Sequence, residues 1–263
     1  MRKIEANELH PILLNMGRIF HDICVRHGIK YWMLGGTQLG AVRHKGFIPW
    51  DDDMDFGIMD SDWKQLVEAL ENELPEVYRC RTRYNYTGTF SNTLKIEDTR
   101  TIINPNPSSD KEIDNIGVNI DIFPMVYTNE NKFIFSRNWI TARLITLQYW
   151  RFYDYSKRGC ISILSKMIKI LGFWLKKGMI TDFINKYTLP SKGDYIANFW
   201  GSWTLKEIIH KDIMGQPTLQ RFEDTSFYGV VDTDKYLCHL YNNYMELPST
   251  EKRHLHIQDM YWK

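Results

Sequence analysis

Disulfide chemistry has little to work with in this chain. The four cysteines, Cys24, Cys80, Cys160 and Cys238, lie far apart and form no Cys-x-x-Cys pair. A dense secreted disulfide framework is therefore excluded, and reduced thiols in a cytoplasmic setting are expected. Charge of one sign is missing too: 33 Lys and Arg oppose 32 Asp and Glu, for a formal net charge of +1. That balance argues for no nucleic-acid partner and leaves small phosphorylated substrates open. No apolar run is long enough to span a bilayer. The nearest candidate, residues 161–177 (ISILSKMIKILGFWLKK), carries Lys166, Lys169, Lys176 and Lys177. It reads as a core-facing helix, with a basic amphipathic helix on the inner membrane face as the alternative. The opening residues, MRKIEANELH, hold no apolar stretch of signal-peptide length. Internal repeats and low-complexity tracts are absent.

What the chain has in excess is aromatic side chains, 14% of residues, including nine Trp and fifteen Tyr. They serve core packing or a pocket that stacks on or binds a cation. The most informative stretch runs from Gly35 to Gly57, GGTQLGAVRHKGFIPWDDDMDFG. Lys30–Leu34 predicts a strand ending at the glycines. Thr37 is expected to cap a short helix to about Val42. Helix N-termini present unpaired amides that suit a phosphate, and glycine lets it approach the backbone.

Asp53–Met59 reads as a second strand. Side chains two apart on a strand share a face, so Asp51, Asp53 and Asp55 point one way. Met54, Phe56 and Ile58 point into a core. Carboxylates crowded on one face repel unless a cation sits among them. A hard divalent ion with oxygen ligands, Mg²⁺ with a bound phosphate, is the economical explanation. A calcium EF-hand loop fails, because its sixth position is Phe56 rather than Gly and its twelfth is Asp62 rather than Glu.

The flanking pattern predicts an amphipathic helix over Asn7–His27, capped by Gly28. Another helix follows Asp60-Ser61, with Trp63, Leu66, Val67 and Leu70 on one face. Tyr78–Tyr84 alternates, placing Arg79, Arg81 and Arg83 on a solvated edge face, with a phosphate-facing surface as the alternative. Ser91–Asp98 reads as a strand with Thr93, Lys95 and Glu97 on one side. The polar stretch 104–115 reads as a mobile loop that can serve as a lid. Gly117–Phe123 is a strand burying Val118, Ile120 and Ile122. If it neighbours the acidic strand, Asp121 becomes a third carboxylate. Helices are expected over Asn131–Tyr153 and after Asp232 or Thr233, the last stopped by Pro248. The expected fold class is α/β (α+β): a mixed β-sheet core over residues 1–128, flanked by helices. A mainly helical region over 129–263 would pack on it and complete the donor and acceptor site.

Strand, Gly-Gly-Thr, short helix and a strand bearing Asp-x-Asp form the arrangement of the nucleotidyltransferase superfamily. The run YWMLGGTQLGAVRHKGFIPWDDDMDFGI, followed in order by LKIEDTRT, VNIDIFPM and YLCHLYNNYMELP, resembles the LicD/fukutin family of phosphotransferases. The likeness covers most of the chain, although residues 130–200 match only in helical character. It implies a nucleotidyltransferase fold. It also implies transfer of a substituted phosphate from a CDP-activated donor, with release of CMP, to a sugar hydroxyl. For bacterial members that group is typically phosphocholine from CDP-choline, and the acceptor a cell-surface glycan, lipopolysaccharide or teichoic acid, free or lipid-linked. CDP-glycerol, CDP-ribitol or a phosphonate donor stay open, as does transfer of a nucleotide to a small hydroxylated compound.

Carried over by motif, Asp53 and Asp55 are metal ligands, with Asp121 the third carboxylate. The metal is Mg²⁺, with Mn²⁺ as the alternative. Gly35, Gly36 and Thr37 hold donor phosphate, and Arg43, His44 and Lys45 flank it. Lys95 and Glu223 match a basic and an acidic position of the family. Asp121, or Asp121 shared with Asp51, is the expected general base. A choline head requires an aromatic cage, for which Trp32, Trp50 and the Trp200–Trp203 pair are candidates.

Overall fold

The computed structural model describes residues 1–82, 93–103, 116–128, 193–253 and 259–263. The expected lid over 104–115, the helices over 131–153 and 161–177, Arg83, His254 and His256 fall outside them.

Apolar residues at three-four spacing build helix α1 (Ala6–Arg26), which buries Leu13, Met16, Phe20 and Ile23 completely. Each such side chain contributes about 2 kcal/mol through burial. Glu5 and Glu8 form a capping box at its start, and Gly28, at φ +65°, turns the chain after its end. Strand β2 (Tyr31–Met33) follows, then helix α2 (Gly35–Arg43), strand β3 (Asp55–Met59) and helix α3 (Trp63–Glu73). Strands β4 (Tyr78–Arg81), β5 (Leu94–Asp98), β6 (Thr101–Ile103) and β7 (Asn119–Thr128) complete the first half. Before them, β1 (Arg2–Lys3) opens the chain.

The main sheet has seven strands in the path β2-β3-β7-β5-β4, with β8 (Tyr195–Ala197) continuing from β7 to β9 (Ile208–His210). The β3–β7 pair is parallel and the others antiparallel. Alternation along each strand divides the apolar side chains between two cores. Tyr31, Met33, Met54, Phe56, Ile120 and Ile122 pack under α1 on one side. Trp32, Leu34, Met125 and Ile196 pack on the other against α2 and helix α5 (Thr233–Tyr241). Between these elements come helix α4 (Lys211–Met214) and a hairpin, β10 (Thr218–Phe222) with β11 (Thr225–Gly229). Strand β12 (Met260–Trp262) sits between β1 and β6 in a separate small sheet. None of the described helices is long and apolar enough to cross a membrane.

The mixed α/β, α+β architecture is the expected one, and several local details differ. Ladder pairing of the acidic strand begins at Asp55, opposite Asp121, so Asp51–Asp53 lie in an irregular approach to β3 rather than on it. Arg79 and Arg81 do not form a solvated face. Arg81 is 5% exposed, and both arginines pair with Glu97, which is fully buried. A buried carboxylate stripped of its partners costs about 3–5 kcal/mol, which accounts for their orientation. Helix α5 ends at Asn242, whose φ of +59° breaks the helix before Pro248 is reached. Residues 193–253 and 259–263 carry five strands beside α4 and α5, while residues 129–192, where most of the expected helical region falls, lie outside the described residues.

Candidate active site

A cleft of about 980 Å³ opens where the N-terminus of α2, the approach to β3 and the C-terminal end of α5 meet. Gly35 and Gly36 are the first residues of α2 itself, not a turn preceding it. Gly35 adopts φ +49°, a conformation that side chains other than glycine's disfavour. A Cβ on Gly36 would lie 2.7 Å from Asp51 Oδ2, so the missing side chain is what lets that carboxylate sit against the helix start. Thr37 is not the cap. It lies within the first turn, and its Oγ1 accepts the Asp55 N–H at 2.8 Å, tying the helix start to the head of β3. The acidic segment is also held from beneath. His10 of α1 stacks on Phe47 with centroids 4.3 Å apart, and its Nε2 lies 2.8 Å from the Asp51 carbonyl oxygen. As a hydrogen-bonding pair, the ring nitrogen donates to that carbonyl.

Asp51, Asp53 and Asp55 all line the cleft. Burial pushes the Asp55 carboxyl well above the usual carboxylate range. The negative charges of Asp53, Asp121 and Asp51 add to the rise, and Lys95 opposes it. Carboxylate oxygens of Asp51, Asp52 and Asp53 can also lie within 4.8 Å of one another. Asp52 is 4% exposed and does not line the cleft, so the set facing it is Asp51, Asp53 and Asp55. Arg43 is the one Lys or Arg among the described residues lining the cleft. Its Nη1 donates to the Tyr244 carbonyl at 2.7 Å, holding the wall after α5. Burial, then the neighbouring Arg43 charge, pushes the His44 imidazole below its ordinary value and keeps it neutral.

The other expected residues are scattered. Asp121 is brought beside Asp55 by the β3–β7 register but does not line the cleft. Lys95, opposite it on β5, ion-pairs with it and donates to Asn119 Oδ1 at 2.9 Å. Lys45 is exposed, at φ +64°. Glu223 lies outside the cleft lining and accepts the Phe47 N–H at 2.9 Å, so it clamps the loop that leads to Asp51. Of the aromatic candidates, Trp50 and Trp203 line the cleft. Trp32 is core, its indole N–H donating to the Met214 and Gly215 carbonyls, and Trp200 is buried outside the lining.

Sequence reasoning missed a second wall. Tyr236 and Tyr241 of α5, with Asn198 and Glu207, line the cleft. The Tyr236 hydroxyl accepts the Gly35 N–H at 3.1 Å, and burial raises both phenols so that they stay protonated. These tyrosines were legible as the apolar face of an amphipathic helix. That this face meets the glycines is a long-range packing fact that their spacing does not carry.

Comparison with known proteins adds independent support. Residues 28–158 match the family model described as LicD/FKTN/FKRP, nucleotidyltransferase domain. Over 286 aligned positions the chain is 29% identical to the lipopolysaccharide cholinephosphotransferase LicD of Haemophilus influenzae, covering 99% of each. An uncharacterized protein of Rickettsia typhi is 57% identical over 61 residues, 23% of this chain and 20% of that protein. The human ribitol 5-phosphate transferase FKRP is 58% identical over 31 residues, 12% of this chain and 6% of that protein.

Proposed function

We propose, from the premise that this chain belongs to the LicD family, that it transfers a substituted phosphate from an activated nucleotide donor to a hydroxyl of a glycan. The observation that supports this most is the convergence of Asp51, Asp53 and Asp55 on the glycine start of α2 in one cleft. The likeness over 99% of both chains to a protein named lipopolysaccharide cholinephosphotransferase favours phosphocholine as the group and a lipopolysaccharide-type glycan as the acceptor; CDP-choline is the donor we propose with them. The likeness to a ribitol 5-phosphate transferase keeps a polyol phosphate as the alternative group.

The donor set fits a hard divalent cation, since carboxylates crowd around Asp55, whose carboxyl is raised by burial and then by the charges of Asp53, Asp121 and Asp51. Asp53 and Asp55 would hold Mg²⁺. Mn²⁺ would be accepted by the same oxygens. Bound there, the ion would supply positive charge against the diphosphate and its leaving group. The chain's own groups do the rest. The amide end of α2 faces donor phosphate with its positive dipole. Arg43, among the described residues the one guanidinium lining the cleft, faces nonbridging oxygens. Tyr241, kept protonated, supplies an O–H donor beside Gly35, its oxygen 3.6 Å from where a Cβ there would stand.

The acceptor hydroxyl must lose a proton. Of Asp51 and Asp121, Asp51 lines the cleft, so its carboxylate is assigned that proton. Asp121, paired with Lys95, positions the charge beside Asp55.

Incubation with CDP-choline, Mg²⁺ and a glycan acceptor, read by mass spectrometry, tests the reading. Addition of phosphocholine is expected, with Asp53→Asn lowering turnover about a hundredfold or more. Addition of a nucleotide would instead reveal nucleotidyl transfer, and no product with any CDP donor would overturn the assignment.

A further inference from the structure

We infer that Trp203, Tyr241 and Glu207 form the corner of the cleft that reads the donor's head group, and that they select a cationic group over a neutral polyol. The inference rests on the phosphotransfer reading above. On that reading the glycines of α2 face the diphosphate at one end of the cleft, where Asp53 and Asp55 would hold the cation that neutralises it. Tyr241 joins that end to the other. Its hydroxyl neighbours Gly35, and its ring meets the Trp203 ring edge to face, with centroids 5.0 Å apart and planes at 81°.

Glu207 lies on the same side. Its Oε1 accepts the Trp203 N–H at 3.1 Å, and its negative charge acts on both Tyr236 and Tyr241. Gly201, whose missing side chain leaves room for that carboxylate, lines the cleft beside it. Two aromatic rings with a carboxylate are the chemistry that holds a quaternary ammonium: ring faces attract the positive charge without hydrogen bonds, and the acid compensates it. A polyol would call for several polar donors and acceptors in place of those rings. The corner already tolerates a cation, since Lys206 Nζ lies 5.8 Å from the Trp203 ring centroid. That ammonium is committed elsewhere, donating to the Leu240 carbonyl at 2.6 Å.

Trp203 is 42% exposed, so a head group reaches it from solvent. Tyr236, by contrast, is buried and spends its hydroxyl on Gly35, which leaves it to the floor rather than the corner.

The test is isothermal titration of the full chain with Mg²⁺ and, separately, CDP, CDP-choline and CDP-ribitol, for wild type, Glu207→Gln and Trp203→Leu. Gln keeps an oxygen to accept the Trp203 N–H while removing the charge, so folding is preserved and CDP affinity serves as the internal control. Wild type is expected to bind CDP-choline about tenfold or more tighter than CDP-ribitol, and each variant to lose that margin with CDP affinity unchanged. Equal weakening of CDP and CDP-choline would make the corner structural and overturn the inference while phosphotransfer stands. A wild-type preference for CDP-ribitol would overturn it in the same way. Failure of every CDP compound to bind wild type would overturn the phosphotransfer reading and the inference together.

Discussion

Replacing Gly36 by alanine separates function from stability in a way few substitutions here can. The added Cβ would stand 2.7 Å from Asp51 Oδ2, 3.6 Å from its Cγ and 3.8 Å from Oδ1. Ordinary contact begins at 3.4 Å, so the carboxylate must retreat by about 0.7 Å. It can do so cheaply, because it is the far end of a side chain. The backbone of Gly36, unlike that of Gly35, does not adopt a positive φ. Alanine in a helix is favoured over glycine by about 0.5–1 kcal/mol, so Gly36→Ala is expected to melt at the same temperature or higher. Function is a different matter. A misplacement near 1 Å can cost about a hundredfold in rate, and on the proposed reading the methyl would also fill space for donor phosphate at the helix start. Turnover of CDP-choline should fall by about that factor, measured as kcat/KM beside a thermal melt with and without Mg²⁺. Full activity in a stable Gly36→Ala protein would refute the idea that the glycine exists for close approach at this point.

Other substitutions and conditions give distinct outcomes. Gly35→Ala forces a side chain into φ +49° and should lower stability by about 1–2 kcal/mol in denaturant titration. Glu223→Ala orphans the Phe47 N–H and should cost about 1 kcal/mol in the same titration, with a larger loss of Mg²⁺-dependent donor binding than a remote surface change produces. The Asp55 carboxyl is raised in the folded state, so the folded chain holds that proton more tightly than the unfolded one. Metal-free stability from this group is therefore present below about pH 4 and lost as pH rises toward the raised value. His21 and His44 are pushed down by burial and act with the opposite sign, losing stability as pH falls below about 6.5. The Asp55 contribution is thus read as the difference in melting temperature between wild type and Asp55→Asn in EDTA, and saturating Mg²⁺ should shrink it.

Much of this arrangement could be read from the chain. The three-four spacing from Leu9 to Ile23 marks α1, and its buried face is the one observed. Val118, Ile120 and Ile122 alternate with Asn119 and Asp121, which both identifies β7 and, once β7 neighbours β3, puts Asp121 beside Asp55. The aspartates and glycines of the cleft were legible because Met54, Phe56 and Ile58 fix which way an ordered acidic segment faces. Other features follow from packing partners that spacing does not name. Alternation placed Arg79 and Arg81 on one face, but only the position of Glu97 on β5 shows that the face is covered. Thr37 has the chemistry of a cap, yet the helix starts two residues earlier, at Gly35, and the Thr37 hydroxyl accepts the Asp55 N–H instead. The wall made by Tyr236, Tyr241 and Glu207 depends on α5 packing against α2, a contact between segments about 200 positions apart.

The central claim is that the aspartates facing α2 hold a divalent ion together with the nucleotide donor. Titration of Mn²⁺ into the protein with CDP-choline, followed by electron paramagnetic resonance of the free ion, tests it most directly. Wild type should withdraw one Mn²⁺ from solution per chain, more tightly with donor than without, and Asp53→Asn and Asp55→Asn should lose that binding. Undiminished Mn²⁺ uptake by both variants, or uptake indifferent to the donor, would contradict the account.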